Sequence, residues 1–175
     1  MSLVKLINLL SNKSFHFNYV HLSKNTRNVA ICPGASTDIK RWKLNYFLEV
    51  GSFLIKKNFT PVFIIGPNEF EMIPLIKKSL KLSRIVKSID PLKTIKISKT
   101  CQFGLSNDTG CGHLIAASGI PVLIIFGPTD PQKFSPIGNP KNISISSQKN
   151  FSSKDIDLIE PSFVIEKIKN LLNIK

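Results

Sequence analysis

Short apolar runs alternate with amphipathic stretches along most of this chain, and the two patterns predict different elements. Uncharged apolar runs predict strands that a parallel sheet buries on both faces. Such runs lie at Val29–Cys32, Pro61–Gly66, Phe103–Leu105 and Ile120–Phe126. Ile85 and Val86 predict a shorter strand, and 143–146 predicts a last strand at a sheet edge.

Apolar residues at helical spacing predict helices between these strands. They cover 44–56, 70–82, 91–99 and 161–172, and another helix begins within 106–113. Because strands and helices alternate, the pattern predicts an α/β fold with a doubly wound parallel sheet. We assign this domain to residues 28–175 and treat 1–27 as an N-terminal segment of uncertain structure.

The stretch 106–113, Ser-Asn-Asp-Thr-Gly-Cys-Gly-His, carries the strongest chemical signal. It reads as a strand end, a tight turn and a helix start, with Asn107 and Asp108 as turn and N-cap residues. Gly110 and Gly112 carry no Cβ, so a ligand can approach the backbone there. A helix N-terminus suits a phosphate, and His113 lies in its first turn. The alternative is an ordinary capped helix start.

A second candidate loop, 33–38, follows the first strand and is rich in Gly and hydroxyl groups. Such loops bind phosphate in α/β folds, although this spacing matches neither the dinucleotide nor the P-loop pattern. Lys40 can neutralise a phosphate and Trp42 can wall a pocket. Taken alone, the triplet Lys40-Arg41-Trp42 favours the alternative, in which Lys40 and Arg41 are a surface pair and Trp42 is a core residue.

Glu69 lies just beyond the second strand, where an acidic group commonly accepts ribose hydroxyls. The alternatives are a first-turn helix carboxylate at Glu69, or Glu71 in either role. The loops 33–41, 66–69, 106–113 and 127–131 all follow strands and are expected to meet at one sheet edge. Their hydroxyls, cation, carboxylate and helix N-terminus together suit a nucleotide diphosphate.

Composition limits which binding partners and which cellular compartment are expected. The formal net charge of +13 favours anionic partners, including an acidic membrane face. No zinc-finger spacing, RNP-like motif or long Lys/Arg run is present, so no nucleic acid is expected. Cys32, Cys101 and Cys111 form no close pair in sequence and predict free thiols in a reducing compartment. No run reaches membrane-spanning length, so we expect a cytoplasmic protein, at most peripheral to the inner membrane.

Three motifs in this order resemble glycosyltransferase family 9, the ADP-heptose:lipopolysaccharide heptosyltransferases. They are Pro33-Gly34-Ala35-Ser36 with Lys40-Arg41-Trp42, Asn107-Asp108-Thr109-Gly110 with His113, and Phe126-Gly127-Pro128-Thr129. The resemblance spans about Val29 to Gly138. It implies a Rossmann-like domain, the C-terminal, donor-binding half of a GT-B fold.

The resemblance also implies site roles, a donor and an acceptor. Ser36 and Thr37 would touch the diphosphate of an ADP-heptose-like donor, Lys40 would neutralise it, and Glu69 would hold the ribose. Sugar and diphosphate would meet a group of four residues: Asp108, Thr109, Gly110 and His113. The implied reaction is inverting transfer to a lipopolysaccharide core or related glycan, with no metal and no cofactor.

The chain departs from the family at Cys32 and at Cys111-Gly112, where the family has other residues. The family's N-terminal domain, which carries the acceptor site and the general base, is not expected in 1–27, which holds no Asp or Glu. No catalytic residue is therefore assigned. The alternative function is a non-catalytic nucleotide-sugar-binding module that is active only with an N-terminal half on a partner chain. A redox dinucleotide domain is disfavoured because the glycine fingerprint is absent.

Overall fold

The computed structural model of the chain describes residues 26–88 and 90–174. Most of the N-terminal segment 1–27 thus lies outside the described residues. Within them, six strands form one sheet. The strands are β1 (Asn28–Cys32), β2 (Thr60–Ile65), β3 (Arg84–Lys87), β4 (Phe103–Asn107), β5 (Val122–Phe126) and β6 (Ile143–Ser146).

The sheet is entirely parallel, with the spatial order β3-β2-β1-β4-β5-β6. The chain builds outward from β1 to β3, then crosses back to place β4 on the other side of β1. This reversal leaves a crevice between the carboxyl ends of β1 and β4, where ligands of doubly wound sheets bind. The predicted α/β fold with a doubly wound parallel sheet is confirmed.

Helices cover both faces of the sheet. In the described residues they are α1 (Leu44–Lys56), α2 (Ile73–Ser79), α3 (Pro91–Ser98), α4 (Gly110–Ala117), α5 (Pro131–Phe134), α6 (Ser147–Phe151) and α7 (Pro161–Leu172). Short 3-10 turns occupy Asp38–Lys40, Pro67–Met72 and Ile156–Leu158. None of these helices is both long enough and apolar enough to span a bilayer.

Two apolar layers form the core, one on each face of the sheet. In β1, Val29 and Ile31 belong to the layer under α1, α2 and α7, whereas Ala30 and Cys32 belong to the layer under α3 and α4. This alternation is the period of two expected for a strand. Trp42 is fully buried in the first layer and donates from Nε1 to the Ile159 carbonyl at 2.6 Å. The core interpretation of Trp42 is therefore correct.

Two stretches differ from the sequence prediction. The helix predicted over 70–82 is instead a 3-10 turn followed by the shorter α2. Pro74 accounts for the break, because it provides no amide to continue a preceding helix and suits the first turn of a new one. The short helices α5 and α6 were not predicted, since four or five residues show no helical period.

Close contact between α4 and β4 depends on Gly104. A Cβ placed there would lie 2.5 Å from Ile115 Cγ2. We predict that Gly104→Ala lowers the free energy of unfolding by about 1–3 kcal/mol, because an overpacked core must shift to admit the methyl group. Chemical denaturation measures this change.

Gly110→Ala is the matched control, because a Cβ at Gly110 meets nothing within 4 Å. Its unfolding curve should overlay that of the wild type or move to higher denaturant. Equal destabilisation by the two substitutions would show that α4 does not pack on β4 as described.

Candidate functional site

A cavity of about 380 Å³ opens at the carboxyl edge of the sheet, beside the crevice between β1 and β4. It has the size of a small-molecule site. The loops after β1, β2 and β3 and the first turn of α4 line it. Its polar side chains belong to Ser36, Arg41, Asn68, Glu69, Ser88, Asp90, Thr94 and Thr109.

Asn107 fixes the shape of the first loop. It is fully buried at the end of β4, and its Nδ2 donates to the carbonyls of Pro33 at 2.9 Å and Gly34 at 3.2 Å. Its Oδ1 accepts from the Trp42 amide at 3.2 Å. The predicted role of Asn107 as a turn or cap residue is wrong, because β4 extends through it and its amide spans the gap to β1.

The start of α4 is not capped by a side chain. Its N-cap residue is Thr109, which makes no side-chain cap hydrogen bond, so Asp108 is not the predicted cap either. The free amides of the first turn therefore remain available to an acceptor beside the cavity. This is the geometry that an anionic ligand requires.

Asp108 instead joins two loops. It is 6% exposed, and its Oδ2 accepts from Lys40 Nζ at 3.1 Å and from Thr129 Oγ1 at 2.7 Å. Lys40 comes from the loop after β1 and Thr129 from the loop after β5. The carboxylate thus locks these two loops to the end of β4.

Glu69 lies over two glycines. A Cβ on Gly34 would come within 2.7 Å of the Glu69 carboxyl group, and one on Gly66 within 2.6 Å of it. Both positions leave the space that the carboxylate occupies. Burial raises the pKa of Glu69, while Arg41 opposes the shift and Glu71 adds to it. Such a half-buried carboxylate is suited to accept hydroxyl donors.

The two glycines of the central motif have different roles. Gly110 lines the cavity, and the place of its missing Cβ is open space. At Gly112 a Cβ would lie 3.1 Å from the Asn107 carbonyl oxygen and from Ser106 Oγ. A ligand can thus approach Gly110, whereas Gly112 lets α4 pack onto β4.

The predicted site residues fall into two groups. Ser36, Glu69, Thr109 and Gly110 line the cavity. Thr37, Lys40, Asp108 and His113 are outside its lining, with Lys40 and Asp108 forming the adjacent ion pair and His113 exposed to solvent.

Arg41, which the sequence analysis placed on the surface beside Lys40, instead lines the cavity, and so does the loop after β3, which the sequence did not single out. Arg41 bonds the Ala35 carbonyl at 3.3 Å, and its Nε is buried without a hydrogen-bond partner in the described structure. In the loop after β3, Ser88 Oγ lies 2.7 Å from Thr94 Oγ1 of α3. The available signal was Asp90-Pro91, a typical helix start directly after the short third strand.

The cysteines also differ from the prediction. Cys32 and Cys111 form a disulfide with Cα atoms 6.5 Å apart, so the expectation of three free thiols is wrong for this pair. Their separation of 79 residues hides a contact that arises only when α4 packs beside the end of β1. Cys101 remains a free thiol, and burial raises its pKa to about 11.

The Lys40–Asp108 pair is predicted to stabilise the site. Lys40→Ala leaves the buried Asp108 carboxylate with the Thr129 hydroxyl as its remaining side-chain partner. The expected loss is about 1–3 kcal/mol of unfolding free energy, reduced from the fully buried case because Lys40 is a quarter exposed.

Lys43→Ala is the matched control, because Lys43 pairs with Asp157 in a more exposed ion pair. Surface pairs contribute little, so its thermal unfolding midpoint should stay near that of the wild type. If both variants lost the same stability, Asp108 would not be a buried anchor.

The chain is similar in sequence to known glycosyltransferases. Residues 7–160 match the family model of glycosyltransferase family 9 (heptosyltransferase), a longer match than the motifs alone indicate. The chain is 32% identical over 158 residues to lipooligosaccharide heptosyltransferase 2 of Campylobacter jejuni, covering 80% of this chain and 49% of that protein. It is 23% identical over 134 residues to lipopolysaccharide heptosyltransferase 2 of Escherichia coli, covering 73% and 38%.

Two solved structures share the fold of this chain. A glycosyltransferase family 9 structure from Veillonella parvula matches with a TM-score of 0.75 at 21% identity, covering 87% of this chain and 47% of that chain. The E. coli heptosyltransferase WaaC, solved with ADP, matches with a TM-score of 0.75 at 18% identity, covering 88% and 46%. The chain spans half or less of the length of each relative named above. It belongs to glycosyltransferase family 9, the heptosyltransferases.

Proposed function

We propose that this chain is the C-terminal, donor-binding half of a heptosyltransferase-like enzyme. The main support for this proposal is the cavity at the carboxyl edge of the sheet, which the uncapped first turn of α4 lines. The cavity occurs in a member of glycosyltransferase family 9. The reaction would transfer a heptose-like sugar, with inversion, from an ADP-activated donor to a lipopolysaccharide core or related glycan. The E. coli structural neighbour was solved with ADP, which supports this donor class.

The donor diphosphate would lie between the first loop and α4. Ser36 and Thr37 would donate hydroxyls, and the Thr109 and Gly110 backbone would approach the phosphates closely. Lys40 would supply charge from one side. Arg41, which lines the cavity with a buried unpaired Nε, is a second cation for the same group. These donors would stabilise the negative charge that develops on the departing ADP.

The remaining site residues would hold the two ends of the donor. Glu69 would accept the ribose hydroxyls from its place over Gly34 and Gly66. Asp108 and His113 would face the sugar. Inversion also needs a general base for the acceptor hydroxyl. We assign no base in this chain, and transfer would use one from the half that binds the acceptor.

An apolar rim supports contact with such a half. Ile39 and Phe134 are exposed large apolar residues beside the Lys40–Asp108 pair, with Phe134 under the Lys40 ammonium at 5.9 Å. Both lie at the sheet edge that bears the cavity. The N-terminal half would pack here, either from the same polypeptide or from a partner chain. The alternative remains a nucleotide-sugar-binding module without transfer activity of its own.

A basic edge supports peripheral contact with an anionic membrane from the cytoplasmic side. Residues 73–99, from α2 through β3 to α3, contain eight Lys or Arg and one acidic residue, Asp90. All eight cations are exposed, and so are Leu75, Leu82 and Leu92. Cations attract anionic headgroups, and exposed leucines can enter the acyl boundary.

The first prediction from this proposal is that the chain binds ADP and an ADP-sugar, and binds UDP more weakly. Added salt should weaken binding because the cations meet a charged diphosphate. Isothermal calorimetry at two salt concentrations measures both effects. A folded sample that shows no heat with ADP would contradict the donor assignment.

Arg41→Ala tests whether Arg41 is a ligand-binding cation of the cavity or only a surface residue. It should weaken ADP binding about tenfold or more, since a charge-assisted contact contributes roughly 1.5–3 kcal/mol. Lys43→Ala removes a nearby exposed cation and should leave the affinity unchanged. Wild-type affinity in Arg41→Ala would remove Arg41 from the site.

The chain alone is predicted to bind the donor but to transfer little sugar. General-base help is typically worth about 10²–10⁴ in rate, and acceptor positioning adds to this. Donor turnover with a lipopolysaccharide core acceptor should rise when an N-terminal half from a family relative is added. Rapid transfer by the chain alone would show that it carries its own base.

Membrane contact is predicted to depend on the basic edge. The chain should sediment with phosphatidylglycerol vesicles and not with phosphatidylcholine vesicles. Each cation near an anionic membrane surface contributes about 1 kcal/mol to the binding free energy. A triple Lys→Glu variant of the edge should lose binding, whereas a triple variant elsewhere should retain more of it. The edge set is Lys77, Lys78 and Lys81, and the control set is Lys133, Lys141 and Lys154. Equal loss of binding in the two variants would indicate that binding depends on net charge and not on this edge.

A further inference from the structure

Two cysteines meet inside the candidate donor cavity. Cys32 is the last residue of β1 and Cys111 is the second residue of α4, and both line the cavity. Their disulfide ties the end of the central strand to the helix turn that would contact the diphosphate. β1 also pairs with β4 through backbone contacts, so the disulfide is an additional restraint, which joins β1 to α4.

The first turn of α4 has few other side-chain restraints. Its N-cap Thr109 makes no cap hydrogen bond, and the side of Gly110 is open. Ser106 Oγ lies 3.5 Å from Thr109 Oγ1, at the limit of a hydrogen bond. Close packing on β4 begins only at Gly112. The disulfide therefore restrains the backbone amides that face the cavity.

The reduced pair also fits this structure. Cys32 Sγ lies 3.3 Å from the Ile64 carbonyl oxygen, so a Cys32 thiol can donate to that carbonyl. Cys32 is buried, while Cys111 is half-buried on the cavity wall. A small disulfide that enters the cavity would thus meet Cys111 first. Cys101 is also buried, but it lies outside the cavity lining and has no cysteine partner.

We propose that Cys32 and Cys111 form a thiol–disulfide modification site that sets the affinity of the cavity for the donor, an inference that rests on the proposed function. The oxidant is a low-molecular-weight disulfide. The Cys111 thiolate attacks one of its sulfurs, forms a mixed disulfide and releases one small thiolate. The Cys32 thiolate then attacks the Cys111 sulfur, which closes the protein disulfide and releases the second small thiolate.

Atoms and electrons balance in this exchange. The protein gives up two electrons and the protons of Cys32 and Cys111, and the small disulfide becomes two small thiols. Excess small thiol reverses each step. Since the oxidised pair holds the α4 amides in place before the ligand arrives, the oxidised chain binds the diphosphate more tightly than the reduced chain. Preorganisation of one turn corresponds to about three- to tenfold in affinity.

The first test maps the bond without using ligand. The full chain is equilibrated with oxidised or reduced glutathione, quenched with acid and alkylated under denaturing conditions, and its peptides are analysed by mass spectrometry. Oxidation should protect Cys32 and Cys111 together and leave Cys101 alkylated. Cys111→Ser should abolish the protection of Cys32, whereas Cys101→Ser should not change it. Full alkylation of all three cysteines after oxidation would overturn the proposal.

The second test measures ADP binding by calorimetry in both redox states. The oxidised wild type and Cys101→Ser should bind about three- to tenfold more tightly than their reduced forms. Cys32→Ser and Cys111→Ser should bind with one affinity whatever the glutathione state. Equal affinity of the two wild-type states would overturn the redox inference while leaving donor binding intact. Absence of ADP binding in both states would overturn the proposed function and the control of affinity, whereas the alkylation map would still report the bond.

Discussion

The buried amide of Asn107 organises the switch point of this sheet. Between the ends of β1 and β4 the chain reverses its building direction, and the loop after β1 has no strand to pair with. Asn107 replaces those missing backbone contacts by donating to Pro33 and Gly34 and accepting from Trp42. Because a buried amide that loses its partners is costly, the loop has one low-energy position. The cavity wall follows from that position.

Neighbouring residues extend this restraint to the other loops. Asp108, the next residue, binds Lys40 from the first loop and Thr129 from the loop after β5. Absent side chains are equally important: Gly34 and Gly66 leave room for Glu69, and Gly104 lets α4 approach β4. The polar groups of the site are therefore positioned by buried contacts and by space. An uncapped helix end is left facing the cavity, where a diphosphate can serve as its acceptor.

Sequence patterns predicted the helices and strands that have a regular apolar period. They missed the side-chain contacts that join residues distant in sequence. The bounds of α1, α7 and β6 match the prediction, because their apolar spacing is regular. Asn107 was misread as a cap, since Asx residues favour caps and only the fold reveals a partner loop 73 or 74 residues away. The Cys32–Cys111 pair was missed for the same reason. The cavity position of Arg41 was not predicted, because adjacent residues in an irregular loop diverge in ways that spacing does not encode.

We propose above that the loops around the switch point bind an adenine nucleotide diphosphate. The most direct measurement is a backbone amide spectrum of the ¹⁵N-labelled chain, recorded by NMR during titration with ADP. Binding at this site should produce shifts that saturate together at Gly34, Ser36, Glu69 and Gly110, with little change in β6 or α7. Saturable shifts confined to another surface, or no shifts at millimolar ADP, would contradict it.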